Sequence, residues 1–227
     1  MEPSVLREFT LTYDHPVEIT RDQIETIASK WPSLESFILA CEPVHLTAPC
    51  TLTLLALLPF ARYCPNIRIL GLFINASTAD LPMTTSSSTR ASMTNSIKRF
   101  QNLTKLSMGV SQIKDEGSVA LFLSHLLPLG CDIECGVTWH SDLDDMAHEE
   151  GDINQEMCAQ LIKEVGKRCA GWNEVGRMLP LLIRLRMEER ERLKGLEETV
   201  DDLRIRNRIL MERAGKSMEG DGTCVIF

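Results

Sequence analysis

Residues 31–39 read WPSLESFIL, in which Leu34, Phe37 and Leu39 form a six-residue frame of the type apolar-x-x-apolar-x-apolar. Three further copies of this frame precede residue 110: Leu6, Phe9, Leu11; Ile67, Leu70, Leu72; and Leu103, Leu106, Met108. The four frames start at residues 6, 34, 67 and 103, so successive starts are 28, 33 and 36 residues apart. A repeat of this length indicates structural units that stack on one another, and each frame predicts one short extended segment.

The residues before the frames support this interpretation. Trp31, Cys64 and Phe100 each stand three positions before a frame, and a proline follows the first two. Proline disfavours helical geometry in the residue that precedes it, so these lead-ins are expected to end a helix and start a strand. A fifth, looser strand is predicted over residues 133–139, which read IECGVTW.

Helical patterns lie between the predicted strands. The clearest covers residues 20–31, where apolar residues follow helical spacing and Thr20 with Gln23 forms a capping box. Two more cover residues 51–63 and 115–127. The alternation predicts an α/β fold, a short and degenerate leucine-rich-repeat-like solenoid with parallel strands and outer helices, followed by a long C-terminal helix. A three-layer sheet with crossover helices predicts the same local pattern and is the alternative.

The C-terminal helix carries a short coiled-coil seam, whose residues follow strict 3-4 spacing. The seam residues are Leu193, Leu196, Val200, Leu203, Asn207 and Leu210. Leucine at d, with valine and one asparagine at a, favours parallel dimers and fixes their register. Only about three heptads support the seam, and short isolated helices are marginal. Self-pairing, pairing with a partner's helix and folding back on the repeats all remain open at this point.

The chain is expected to divide into four parts. Residues 1–140 form the repeat domain, residues 141–153 an acidic linker, residues 154–213 the helical and coiled-coil segment, and residues 214–227 a disordered tail. Within the repeat domain, residues 80–96 are rich in serine and threonine and predict a surface loop.

Charge and hydropathy limit the class of protein. The 24 basic and 32 acidic residues give a net charge of −8, which argues against a dedicated nucleic-acid binder. No apolar run approaches the length of a membrane span, and the N-terminal residues lack the apolar core of a secretory signal. A cytoplasmic or nuclear protein without a transmembrane segment is therefore expected.

Signatures of catalysis and metal binding are missing from the sequence. It contains no nucleophile elbow, no glycine-rich phosphate loop and no zinc spacing among its eight cysteines. We therefore expect no enzymatic activity, no catalytic residues, no cofactor and no metal. The last four residues, Cys224-Val225-Ile226-Phe227, fit a prenylation signal at Cys224, and membrane association is expected only if that cysteine is modified.

Three segments resemble a known family. They read LLALLPFARYCPNIRILGLFINASTADLP (54–82), SVALFLSHLLPLGCDIECGVTW (118–139) and WNEVGRMLPLLIRLRMEER (172–190). They are similar to the C-terminal, leucine-rich-repeat-like part of fungal, mushroom-type F-box proteins, over most of residues 3–190. In that family the F-box binds the adaptor of a cullin-RING ubiquitin ligase and the repeats hold the substrate. The resemblance implies substrate recognition by the repeats. It also implies the ubiquitin-ligase adaptor as a partner, although no F-box pattern, the segment that binds the adaptor in that family, precedes Leu6.

The sequence thus predicts a non-enzymatic protein-binding scaffold. Strand residues between the apolar positions of a frame should point away from the core, and they are the candidate contacts with a protein partner. These spacer residues are Arg7, Thr10, Glu35, Ile38, Arg68, Ile69, Lys105 and Ser107. The alternative function is a structural protein that oligomerises through the C-terminal coiled coil, with or without a prenyl group on Cys224.

Overall fold

The computed structural model describes residues 6–46, 50–76, 98–139 and 152–219. Its elements in chain order are β1 (Glu8–Leu11), α1 (Arg21–Lys30), β2 (Ser36–Leu39), a 3₁₀ turn (Leu54–Ala56), α2 (Leu57–Tyr63), β3 (Ile69–Leu72), β4 (Asn75–Ala76), β5 (Lys105–Gly109), β6 (Gln112–Ile113), α3 (Glu116–Leu126), β7 (Asp132–Cys135) and α4 (Asp152–Glu219). The protein is therefore a mixed α/β structure with a long C-terminal helix.

Five parallel strands form the main sheet, in the order β1-β2-β3-β5-β7. The central apolar residues of the frames lie side by side, because Phe9 pairs with Phe37, Phe37 with Leu70 and Leu70 with Leu106. The expectation that the four frames form adjacent extended segments is confirmed. The short strands β4 and β6, which were not predicted, pair separately.

Local sequence signals set the ends of the helices. Thr20 Oγ1 accepts a hydrogen bond from Gln23 N at 3.3 Å, and Gln23 Oε1 accepts one from Thr20 N at 2.8 Å, so the predicted capping box begins α1. The Asp115 carboxylate accepts a bond from Ser118 N at 3.0 Å and is the N-cap of α3. A strand was predicted over residues 133–139, but the observed strand β7 is shorter. It ends at Cys135, and the next residue, Gly136, has a φ of 129°, which is not strand geometry.

The helices pack on one face of the main sheet. The central frame residues Phe37, Leu70 and Leu106 are fully buried on this face, and the Phe37 and Phe60 rings lie 4.9 Å apart. Each helix adds its own apolar residues to the same cluster, including Ile24, Phe60, Phe122 and Trp172. One continuous core therefore joins the sheet to all of these helices.

The chain divides into two compact units, residues 1–183 and residues 184–227. The sequence prediction separated residues 154–213 from the repeat domain, but the structure places the first part of α4 in the first unit. Trp172 is fully buried in the core cluster, and its indole N–H donates to Ser111 O at 2.9 Å. The boundary therefore follows Ile183, after which no residue of the helix up to 212 is buried.

Several sequence predictions fall partly or wholly outside the described residues. The serine- and threonine-rich segment 80–96, residues 141–151 of the linker and Cys224 all lie outside them. Asp152 and residue 153, assigned to the linker, belong to α4. Residues 214–219 were predicted to be part of a disordered tail. In the structure they are helical, since α4 ends at Glu219.

Candidate protein-binding face

The second face of the main sheet carries no helix among the described elements. Its side chains alternate along the strands with the buried frame residues. We define the open face by the residues Glu8, Thr10, Ser36, Ile38, Ile69, Gly71, Lys105, Ser107, Asp132 and Glu134. All of them except Gly71 are half-buried or exposed, so this face is available to another molecule.

The centre of the open face is apolar. Ile38 pairs in register with Gly71, and a Cβ atom added to Gly71 would lie 3.2 Å from Ile38 Cγ2. That separation is tighter than ordinary van der Waals contact, so the missing side chain leaves room for Ile38 to lie over β3. Ile69 is half-buried on the same strand. These two isoleucines give the face an apolar patch near its middle.

Charged residues flank this patch. Arg7 and Glu35 form an ion pair at 3.4 Å, and Lys105 Nζ lies 2.7 Å from Glu134 Oε1. All four side chains are more than a third exposed, and exposed pairs of this kind contribute at most about 1 kcal/mol. Either ion pair can therefore break, at little cost, so that its residues pair with charged groups of a bound protein.

Arg68 stands between the two ion pairs in the strand order. Its backbone N–H donates to Glu35 O at 2.7 Å, and its own carbonyl accepts from Thr104 N at 2.8 Å. These bonds hold the backbone in the ladder, while the side chain is exposed. Within the described part of the chain, the guanidinium of Arg68 forms no ion pair. Arg68 is thus an exposed cation that immediately precedes Ile69 in the chain.

The structure brings most of the predicted spacer residues together. Thr10, Ile38 and Ser107 lie in one cross-strand row, and Ile69 and Lys105 lie in the next. Arg7, Glu35 and Arg68 stand just before their strands and continue the hydrogen-bonded ladder.

Sequence reasoning missed five contributors to this face: Glu8, Ser36, Gly71, Asp132 and Glu134. Glu134 could have been found from the predicted fifth strand, whose spacers were not considered. Gly71 gives no sequence signal of its own, because its role depends on the Ile38 side chain across the strand.

The Cys41 thiol, which borders the open face, is unreactive. Cys41 Sγ lies 3.8 Å from Ser107 Oγ at the edge of the open face. Burial raises the pKa of the Cys41 thiol, and the Ser107 hydrogen bond only partly opposes this effect. The thiolate is the reactive form of cysteine, so this geometry does not provide a nucleophile.

Two histidines that are far apart in sequence meet in the structure. The rings of His15 and His45 stack with their centroids 4.1 Å apart, next to Tyr13. Within the described ranges, no group of three or more histidine, cysteine, aspartate or glutamate side chains could hold a metal ion. Both histidines are exposed, so the stacked pair is a surface contact between the segments that follow β1 and β2.

The coiled-coil seam is exposed to solvent. Its five apolar members are Leu193, Leu196, Val200, Leu203 and Leu210, with exposed fractions from 44% to 62%. Asn207 is exposed as well. This stripe is a second candidate interaction surface, and it lies wholly within the second compact unit.

Comparisons with protein-family models, curated proteins and solved structures find no match for this chain. Of the helices that the structure describes, none combines the length and the apolar character that crossing a bilayer requires. A functional assignment therefore depends on the geometry and chemistry of the surfaces described above.

Proposed function

We propose that this protein is a non-enzymatic scaffold that binds a partner protein on its open face. The observation that carries the proposal is the asymmetry of the main sheet. Helices pack on one face, where Phe37, Leu70 and Leu106 are fully buried, whereas the other face presents Ile38 and Ile69 beside charged side chains. An apolar centre with a polar rim is the usual anatomy of a protein interface.

We also propose that the sheet and its helices form a leucine-rich-repeat-like solenoid. The strands follow one another through the sheet in chain order, and their frames lie in register. Stacked repeats of this kind bury their apolar faces against their neighbours and leave an extended surface free for binding. The crossover alternative would place helices on both faces of the sheet, and the described helices favour the solenoid.

The resemblance to fungal F-box proteins suggests a more specific role. We propose that the open face recognises the substrate of a cullin-RING ubiquitin ligase. The ligase adaptor would then be a second partner. This part of the proposal rests on the similarity of residues 54–82, 118–139 and 172–190 to that family.

The chemistry of the open face indicates what it would bind. Ile38 and Ile69 can contact an apolar side chain, and Arg68 can pair with a carboxylate next to it. Lys105 offers a second cation when its pairing with Glu134 is exchanged. A partner segment with apolar and acidic residues in alternation would satisfy this surface.

The test is affinity capture with quantitative mass spectrometry, using the full chain and two charge-matched variants. Arg68→Glu with Lys105→Glu reverses Lys105 on the open face and Arg68, which immediately precedes Ile69. Arg21→Glu with Lys167→Glu makes the same change in net charge on exposed helical residues away from that face. We expect the first variant to lose a captured protein that the second retains, with both melting at temperatures close to that of the parent.

Equal capture by the two variants would contradict the assignment of the open face. The ligase role has a separate readout, namely recovery of the ligase adaptor with the parent chain. If a partner depends on the open face and no adaptor is recovered in any sample, the scaffold proposal stands and the ligase role fails.

A further inference from the structure

We propose that two copies of this chain pair in parallel along the seam, over residues 192–210. The seam places apolar side chains at successive a and d positions, and all of them are exposed in the single chain. A stripe of this kind buries its apolar residues when a second helix with the same spacing packs against it, knobs into holes. The seam supplies that spacing itself, so the occupant we infer is a second copy.

Charge complementarity supports the identity of this occupant. With Leu193, Val200 and Asn207 at a, Arg192 occupies a g position and Glu197 the next e position. In a parallel pair these two residues face each other across the interface, once on each side. The remaining g and e residues are Thr199 opposite Arg204 and Arg206 opposite Met211. Two attractive pairs and no repulsive pair therefore border the seam.

Asn207 selects between the two orientations. In a parallel, in-register pair it faces Asn207 of the second copy, and the two amides can hydrogen-bond to each other. In an antiparallel pair centred on the seam, an a position faces a d position, so Asn207 would be buried against Leu196. A buried amide without a partner costs about 1–3 kcal/mol. The parallel arrangement avoids this cost for the Asn207 of each copy.

Dimerisation would place two open faces in one particle. If the proposed function holds, both faces can engage a partner that presents its binding segment more than once, and the effective affinity rises without new contacts. This consequence rests on the proposed function, whereas the dimer itself does not. Failure of the capture experiment would therefore leave the dimer proposal intact.

Sedimentation equilibrium of the full chain tests the pairing. We expect a concentration-dependent monomer–dimer equilibrium. Leu203→Lys places a charge in the seam and should raise the dimer dissociation constant at least tenfold. Ile205→Lys adds the same charge two residues away, at an f position outside the seam, and should change that constant by less than twofold. Leu203 and Ile205 are 58% and 49% exposed, so neither change should disturb the folded monomer.

A chain that stays monomeric at hundreds of micromolar would overturn the proposal. So would a dimer that responds equally to both lysine variants, because that dimer would use another surface. Far-ultraviolet circular dichroism of each variant shows whether the helix remains formed.

Charge reversal at the seam borders tests the orientation. Arg192→Glu converts both attractive pairs of a parallel dimer into repulsive pairs, and we expect its dissociation constant to rise about fivefold. Adding Glu197→Arg to that variant restores opposite charges across the interface and should restore the parent value. A dimer that Arg192→Glu leaves unchanged, or that the double variant fails to rescue, would not be parallel.

Discussion

Two stretches of α4 share one heptad frame but differ in their surroundings. Trp172, Val175 and Leu179 lie 21 residues, or three heptads, before Leu193, Leu196 and Val200. The earlier three are at most 2% exposed, and the later three are 44% to 58% exposed. We call residues 161–183 the covered stretch and residues 192–210 the uncovered stretch. Heptad spacing alone therefore predicts that a helix has an apolar face, and it does not predict what covers that face.

Polar anchors distinguish the covered stretch. Trp172 Nε1 donates to Ser111 O at 2.9 Å, and Arg168 Nη1 donates to Val110 O at 3.0 Å. Both acceptors lie between β5 and β6, so these bonds fix the helix against one turn of the sheet domain. In the described part of the uncovered stretch, the side-chain bonds of α4 stay within the helix. The covered stretch therefore combines buried apolar side chains with specific donors to the sheet domain, and the described part of the uncovered stretch has neither.

Substitution of Trp172 should produce the largest effect. Trp172→Ala removes a fully buried side chain and the donor to Ser111 O, and it should lower the free energy of unfolding by about 3–5 kcal/mol. Leu193→Ala occupies the same heptad position in the uncovered stretch and should change it by less than about 0.5 kcal/mol in the monomer. Urea titration at low protein concentration measures both. Similar losses would mean that the two stretches are equally covered.

A pair of arginines provides a second contrast. Arg168 forms an i,i+4 ion pair with Glu164 at 3.0 Å, and Arg206 forms one with Asp202 at 2.9 Å. The Arg168 side chain is only 7% exposed and also binds a backbone carbonyl, so Arg168→Ala should cost about 2–3 kcal/mol. Arg206→Ala should cost less than about 0.5 kcal/mol. Equal costs in urea titrations would show that burial of Arg168 contributes nothing.

The strands were predictable because their signal is local and repeated. Each frame puts large aliphatic or aromatic residues on one face, and this pattern predicted β1, β2, β3 and β5 as neighbours. The covered stretch was not recognised as part of the sheet domain, because its apolar spacing matches that of the seam. The acceptors that hold it, Val110 O and Ser111 O, are backbone atoms whose positions no side-chain pattern reports.

The open face was predictable in part for the same reason. Alternation along a strand identified residues such as Ile38 and Lys105 as outward-facing. Their partners depend on the register between strands and on the gap at Gly71, which a single sequence does not show. The Lys105–Glu134 ion pair joins residues on β5 and β7, and only the folded sheet brings them together.

Gly171 in the covered stretch and Gly195 in the uncovered stretch should respond to alanine substitution in opposite directions. A Cβ atom on Gly171 would lie 2.4 Å from Ile113 Cγ2, whereas one on Gly195 would meet nothing within 4 Å. Gly171→Ala should therefore force the helix away from β6 and lower the free energy of unfolding by about 1–3 kcal/mol. Gly195→Ala should raise helix stability by about 0.5–1 kcal/mol.

Thermal melts followed by circular dichroism measure both glycine variants. Gly166→Ala is a matched control within the covered stretch, because a Cβ atom there also meets nothing within 4 Å. It should behave like Gly195→Ala. Destabilisation by all three substitutions would show that close contact with β6 is not the cause.

Cys135 should give the stability of the covered stretch a dependence on pH. Its thiol lies 3.4 Å from Cys169 O and 3.3 Å from Asn173 Oδ1, next to the covered stretch. Burial, and then the neighbouring Cys169, raise the pKa of the Cys135 thiol from 9.0 to about 12. The folded state therefore holds this proton more tightly than the unfolded state does. Its contribution to stability is complete below about pH 9 and is lost as the pH rises towards 12.

Two measurements check the raised pKa of Cys135. The thiolate fraction at pH 8 should be about a thousandfold smaller than that of an ordinary thiol, so iodoacetamide should modify Cys135 slowly in the folded chain and at the ordinary rate in urea. Melting temperatures should fall above pH 9, and Cys135→Ala should make that fall shallower. Rapid alkylation of the folded chain would instead mean that water reaches this thiol, and that the covered stretch opens at its contact with β7.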